Sequence, residues 1–209
     1  ENLAQGLAEA GGRRPGLVFI RPRSPEVLQR LLRLPGIEQI DGFVLPKLDE
    51  RSLAAYAACL EAHPRLLLMP ILETEIAFRR ARLEVLAERL AALPNPVTCV
   101  RIGGNDLLQL LGMKRPKATT LYETPLRAVV NDILLSFAPL GFRVSAPVFE
   151  YLDNPELLQR EVAQDVQHGL FAKTAIHPMQ VSLIERAYQV AWDGVRSEYG
   201  RRREKISIC

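Results

Sequence analysis

The sequence predicts an α/β fold on a parallel sheet, a (β/α)8 barrel, and two observations carry that expectation. Short apolar runs alternate with longer amphipathic stretches along the whole chain, the pattern of repeated βα units. The apolar runs are also nearly continuous, as in strands covered on both faces. With 209 residues and no low-complexity linker, one domain over 1–209 is expected, ending in a helical extension over about 180–209.

In chain order the strand candidates are Leu17–Arg21 (LVFIR), Gly42–Leu45 (GFVL), Leu66–Leu72 (LLLMPIL), Val97–Ile102 (VTCVRI), Phe142–Ala146 (FRVSA) and Gly169–Ile176 (GLFAKTAI). Between them the spacing predicts helices over Pro25–Leu32, Arg51–Ala62, Glu75–Leu93, Thr124–Phe137, Pro155–Val166 and about Gln180–Arg202. Ser24-Pro25 and Asn154-Pro155 each set a capping side chain ahead of a first-turn proline. The stretch 107–122 reads as a helical turn followed by a loop. Six strands fall two short of the eight that close a barrel. The chain opens on Glu1 in what reads as the middle of a helix, so further N-terminal strands are expected ahead of it. No G-x-G-x-x-G turn supports the rival architecture, an open dinucleotide-binding sheet.

Composition narrows the function classes. A net charge of +3, with the one basic run (Arg201-Arg202-Arg203 and Lys205) at the C-terminal end, argues against nucleic acid, which needs a broader patch. That run suits the negative end of a helix dipole. No apolar run is long enough to span a membrane and no leader opens the chain, so no membrane partner is expected. Cys59, Cys99 and Cys209 are odd in number and lack metal spacing, which points to reduced thiols and a cytoplasmic location.

A parallel barrel builds its site where the strands end. The polar residues directly after the apolar runs are Arg21, Arg23, Lys47, Glu73 with Thr74 and Glu75, Asn105 and Asp106 after Gly103-Gly104, Glu150 and His177. Glu73 and Asp106 follow consecutive strands, whose spacing is about 5 Å. They could share one Mg²⁺, which takes one or two carboxylates and completes its shell with water or substrate oxygens. The plain alternative is a helix cap or solvated loop acid. Arg21 carries a planar fork suited to a carboxylate or phosphate, or to a structural ion pair at the rim. Lys47 and Lys173 raise Schiff-base chemistry, or simply lay their stems over the core. His177, ahead of Pro178, could touch a phosphate or pantetheine arm, or cap the strand. The final helix has an apolar face (Val181, Leu183, Ile184, Ala187, Tyr188, Val190, Ala191) that fits either its own barrel or a neighbouring copy.

Four segments together, Asp41-Gly42-Phe43-Val44-Leu45-Pro46-Lys47, Pro70-Ile71-Leu72-Glu73-Thr74, Arg101-Ile102-Gly103-Gly104-Asn105-Asp106-Leu107 and Lys173-Thr174-Ala175-Ile176-His177-Pro178-Met179-Gln180, resemble the citrate lyase beta subunit and the wider HpcH/HpaI aldolase family. The last, K-x-x-I-H-P-x-Q, is the most specific. The resemblance implies a TIM barrel and a carbon–carbon lyase or aldolase acting on a hydroxy-acyl-CoA thioester (citryl-, malyl- or citramalyl-like) or a hydroxy-2-oxo acid, through an enolate-forming fragment. It implies Mg²⁺ on Glu73 and Asp106, and Arg21 on the substrate acid, with Pro22 standing where the family has Asn. Arg21 and Lys47 are then the catalytic candidates, and Arg21, Gly104, Asn105 and His177 the substrate-binding ones. A homo-oligomer, a trimer, is also implied. The family's acidic D-L-E-D segment has no counterpart in these residues, which keeps a second class open: a barrel that binds or assembles without catalysing. A metal-free Schiff-base aldolase using Lys47 or Lys173 is the remaining alternative.

Overall fold

The computed structural model describes residues 16–199, with side chains as far as residue 189. All six apolar runs become strands: β1 (Phe19–Ile20), β2 (Gly42–Leu45), β3 (Leu67–Leu72), β4 (Val100–Ile102), β5 (Val144–Ala146) and β6 (Ala172–Lys173). They pair in parallel and in sequential order from β1 to β6. The connecting helices are α1 (Pro25–Leu31), α2 (Glu50–Leu60), α3 (Arg80–Ala91), α4 (Gly104–Leu110), α5 (Leu126–Phe137) and α6 (Pro155–Gln167), and α7 (Pro178–Tyr199) follows β6. This is the order of a (β/α) barrel, with six strands among the described residues.

The two faces of the sheet explain the unbroken apolar runs. Outward, Phe43, Leu45, Leu68, Leu72, Val100, Ile102, Val144 and Ala146 join helix residues such as Leu28, Leu53, Leu83, Leu86 and Ile133 in one core. Inward, Val44, Met69, Ile71 and Cys99 form a separate cluster with Phe19 against it. Burial of each Leu, Ile or Val side chain stabilises by about 1.5–3 kcal/mol. Both kinds of position are therefore apolar, and the alternation that marks a half-exposed strand is lost.

Helix starts follow the expected capping chemistry. Ser24 Oγ accepts from the Val27 N–H at 3.4 Å and Asn154 Oδ1 from the Leu157 N–H at 3.0 Å, each ahead of its proline. Asp49 and Ser52 form a reciprocal capping box at the start of α2.

Three expectations need correction. The helix predicted over Glu75–Leu93 is divided: a 3-10 turn over Glu75–Phe78 precedes α3, because Arg79 leaves the helical region at φ −130, ψ 89. The stretch after β4 begins with a true helix, α4, directly at Gly104; two adjacent glycines, the poorest helix formers after proline, hid its start. The ladders are also shorter than the apolar runs, most clearly at the sheet edges. The run Gly169–Ile176 contributes only Ala172–Lys173, and Gly169 ahead of it adopts the left-handed conformation at φ +79.

Helix α7 packs on its own chain as far as it is described. Ile184 and Tyr188 are buried with Phe149, Leu157, Leu158 and Val162, and Leu183 and Ala187 pack beside them. Its predicted positions Val190 and Ala191, the basic run 201–205 and Cys209 lie outside the described side chains. Among the described residues no helix is long and apolar enough to cross a membrane.

Candidate active site at the strand ends

Because the strands are parallel, the segments after β1 to β6 share one end of the sheet, and inward-pointing positions alternate along each strand. Phe19, Met69 and Ile71 face inward. Two residues on from Phe19 and Ile71, Arg21 and Glu73 take the same side at the rim, and the structure brings them together. Arg21 Nη2 donates to Glu73 Oε1 at 3.3 Å.

Glu73 is the focus of the site. Its side chain is only 5% exposed, whereas that of Arg21 is 53% exposed and keeps most of its guanidinium toward solvent. The Lys47 backbone N–H also donates to Glu73 Oε1, at 2.9 Å. Lys47 does so from a left-handed backbone, φ +50, the one non-glycine residue in that region among those described. That conformation costs about 1–2 kcal/mol for an L-residue. The N–H of Lys47 is thus placed on Glu73, while its side chain stands exposed at the same rim.

The turn after β4 closes on Glu73 from the other side. The Gly103 N–H donates to Leu72 O at 3.0 Å, and a Cβ added to Gly103 would stand 2.4 Å from Glu73 Cβ and 2.8 Å from Glu73 Oε2. Only glycine admits this approach. Gly103→Ala is accordingly expected to destabilise the protein by about 1–3 kcal/mol through overpacking. The check is a lowered urea midpoint, and an unchanged midpoint would mean that Glu73 has room to move aside.

Asp106 follows in the first turn of α4, half-buried, where a carboxylate also complements the helix dipole. Beside it Asn105 Nδ2 donates to Glu150 Oε2 at 2.6 Å, which ties the β4 and β5 loops together. Asn105 Oδ1 is buried with no partner. Gly104 is buried against Pro147, again too close for a side chain. Glu73 and Asp106 are two carboxylates rather than a larger cluster: no group of three or more His, Cys, Asp or Glu side chains converges among the described residues. Mg²⁺ needs no more than one or two carboxylates beside neutral oxygens. The buried Glu73 carboxylate, approached closely by the Gly103 turn, and the unpartnered Asn105 oxygen fit such an ion.

His177 stands half-buried at the start of α7. Its Nδ1 accepts from the Met179 N–H at 3.3 Å, so the ring caps the helix. Gln180 accepts from the Ile176 N–H at 2.9 Å and donates to Phe149 O at 2.8 Å, staples that hold the β6–α7 turn to the β5 loop. Much of the K-x-x-I-H-P-x-Q motif therefore shapes the strand-end platform.

Lys173 corrects one sequence expectation. It faces outward, fully buried, with its ammonium 2.9 Å from both Glu161 Oε1 and Asp165 Oδ2 of α6. An amine so placed cannot meet a carbonyl substrate at the strand ends. It belongs to a buried charge network that sequence reasoning missed. Arg115 Nη2 donates to both carboxylate oxygens of Glu161 and its Nη1 donates to Val148 O at 2.7 Å, the Leu121 N–H donates to Glu161, and Tyr122 donates to Asp165 at 2.5 Å. Burial first, then the Asp165 charge, pushes the Tyr122 hydroxyl far up, so it stays protonated as a donor. Burial raises Glu161, but the Lys173 and Arg115 cations outweigh it and hold the carboxyl below its usual range. The network anchors the loop after α4, and through Val148 the segment that carries Glu150. One signal was available: Leu158, Glu161, Val162 and Asp165 share the apolar stripe of α6, so two acids stand where a helix turns inward.

A family model described as C-C bond lyase of the TIM-barrel fold matches residues 1–197. Among solved structures, protein CitE from Mycobacterium tuberculosis in complex with magnesium and acetoacetate is 25% identical, with a TM-score of 0.59, 82% of this chain and 67% of that chain being covered. The citrate lyase beta subunit from the same organism is also 25% identical, with a TM-score of 0.61 over 82% of this chain and 72% of its own. RipC from Yersinia pestis, at 23% identity and a TM-score of 0.59 over 81% and 74%, shares the fold. No curated protein matches the chain by sequence.

Proposed function

Since this chain belongs to the C-C bond lyase family of the TIM-barrel fold, we propose that it is a magnesium-dependent carbon–carbon lyase whose ion is held by Glu73 and Asp106. The observation that carries this reading is the buried Glu73 carboxylate at the end of β3, set against side-chain-free Gly103 with Asp106 one helical turn further on. The 25% identical CitE structure with magnesium and acetoacetate supports it.

The chain's own residues divide the work. Both hydrogen bonds of Glu73 fall on Oε1, from Lys47 and Arg21, which fixes the carboxylate plane and turns Oε2 toward the Gly103 turn. Arg21, with half its side chain exposed, offers its remaining donors to a substrate carboxylate arriving from solvent. Asn105 is oriented by Glu150, so its Oδ1 stays available to a bound water or a substrate hydroxyl. The exposed Lys47 ammonium is the cation that can hold a second acid group or pass a proton at the rim. Magnesium, when bound, supplies Lewis-acid stabilisation of charge developing on the oxygen beside the bond that breaks. The substrate class is a hydroxy-2-oxo acid or a hydroxy-acyl-CoA thioester.

The experiment is chelation. Cleavage of such a substrate should vanish in EDTA and return with Mg²⁺, and borohydride added with substrate should leave no adduct on Lys47. Full activity in EDTA together with a trapped Lys47 would replace this reading by the metal-free aldolase.

A further inference from the structure

The turn after β4 and the segment after β5 are joined at neighbouring residues. Gly104 lies so close to Pro147 that an added Cβ would stand 2.8 Å from the proline Cβ. The next residue, Asn105, donates from Nδ2 to Glu150 Oε2 at 2.6 Å. The segment that carries Glu150 forms neither helix nor strand, yet it is held from several sides. Arg115 Nη1 donates to Val148 O at 2.7 Å, and its guanidinium stands 5.2 Å from the centre of the Phe149 ring. Gln180 Nε2 donates to Phe149 O at 2.8 Å, and the Tyr151 hydroxyl donates to Arg115 O. Arg115, Phe149 and Gln180 are all buried. Glu150 is itself exposed, but the backbone on either side of it is fixed.

An asparagine amide carries donors on one limb and an acceptor on the other, whereas a carboxylate only accepts. Glu150 therefore takes the NH₂ limb of Asn105, since the reversed amide would set two oxygens against each other. The Oδ1 limb is left turned from Glu150. That oxygen is buried with no partner, on the residue next to Asp106. A buried acceptor left unpaired is costly, and a ligand that brings a donor removes the cost. A hydroxyl brings one; a carbonyl brings a second acceptor instead. We infer that Glu150 is a positioning residue that sets specificity: it locks the Asn105 amide with its oxygen toward the ligand, so that the site favours a hydroxy acid over the 2-oxo acid of the same skeleton. This rests on the proposed function for which acids bind at the rim.

A plain staple between two loops is the competing role for Glu150, and the two roles change different things. Loss of a staple lowers stability and weakens every ligand alike. Loss of the lock changes the ratio between two ligands, because an amide free to turn offers its oxygen to a hydroxyl or its NH₂ to a carbonyl. The charge of Glu150 acts equally on two acids of the same charge and cancels in that ratio. Because Glu150 is exposed, its removal leaves the core intact.

The test is calorimetric titration, with Mg²⁺ present, of pyruvate and of each enantiomer of lactate, which differ from it in carrying a hydroxyl in place of the carbonyl. Glu150→Ala should lower the affinity ratio of the better-bound lactate to pyruvate by about 3- to 10-fold, the range of one neutral hydrogen bond. Glu150→Gln keeps an oxygen for the Asn105 amide and should restore part of the ratio. Asn105→Ala should lower it as far as Glu150→Ala does, and the double variant no further, since both act through one oxygen. A ratio unchanged in Glu150→Ala overturns the assignment, as do single effects that add in the double variant. So does absence of binding of these acids by wild type. Failure of the metal reading shows separately, as binding of lactate and pyruvate that is indifferent to Mg²⁺ and to Glu73→Gln, whatever the ratio between them.

Discussion

Glu73→Gln is expected to lower kcat by at least about 10³-fold, with the fold intact. The substitution keeps the shape and lets the amide oxygen accept from the Lys47 N–H and Arg21 as the carboxylate does. It removes the negative charge that the proposed ion requires, and Lewis-acid stabilisation of several kcal/mol is lost with that ion. Each 1.4 kcal/mol is tenfold in rate, so an effect of this size follows from about 4 kcal/mol. Asp106→Asn should act in the same direction. Steady-state kinetics at saturating Mg²⁺ checks both, and a loss below tenfold in Glu73→Gln would mean that Glu73 holds Arg21 and the Lys47 turn in place for structural reasons alone.

The second large effect lies away from the strand ends. Glu161→Gln is expected to cost about 3–5 kcal/mol, because buried Arg115 loses the carboxylate it is paired with and buried Lys173 keeps Asp165 alone. Set against a total stability of roughly 5–15 kcal/mol, that is a large fraction. The sign with pH is fixed by the shift. A carboxyl held below its unfolded value of 4.5 contributes stability that is present above that pH and is lost as pH falls through the folded value. Asp165 acts oppositely, since burial pushes it up and its ionisation costs stability as pH rises above 3.8. Urea unfolding of wild type and Glu161→Gln at pH 7 and at pH 4 separates the two: the difference between them should shrink at the lower pH. Should Glu161→Gln not fold, Lys173→Met offers the same comparison from the other partner. A loss below about 1 kcal/mol in either variant would show that the network contributes little beyond its packing.

How much of this was legible in the sequence depends on whether the signal was local. The six strands were readable because burial on both faces makes them continuous apolar runs. Glu73 and Arg21 followed from position, as polar residues at the ends of apolar runs, where a parallel barrel builds its site. Asp106 was found by type and order, but the start of the helix that carries it, Gly104, was hidden by the two adjacent glycines, and only a helical turn from Leu107 was read. The strand-end role of Gly103 is a close-approach requirement that no periodicity shows. The network around Lys173 was out of reach for a different reason. Its members Arg115, Glu161, Asp165 and Lys173 span 58 positions from three segments, and a buried ion pair leaves no local pattern beyond two acids in the apolar stripe of α6.

The central claim is that the rim of this sheet holds a divalent ion between Glu73 and Asp106, and the most direct measurement is calorimetric titration of Mg²⁺ into wild type, Glu73→Gln and Asp106→Ala, each with a 2-oxo acid present. The account predicts one saturable site in wild type that is absent or weakened by at least about tenfold in both variants. Equal Mg²⁺ binding by all three proteins, or none by wild type, would contradict it.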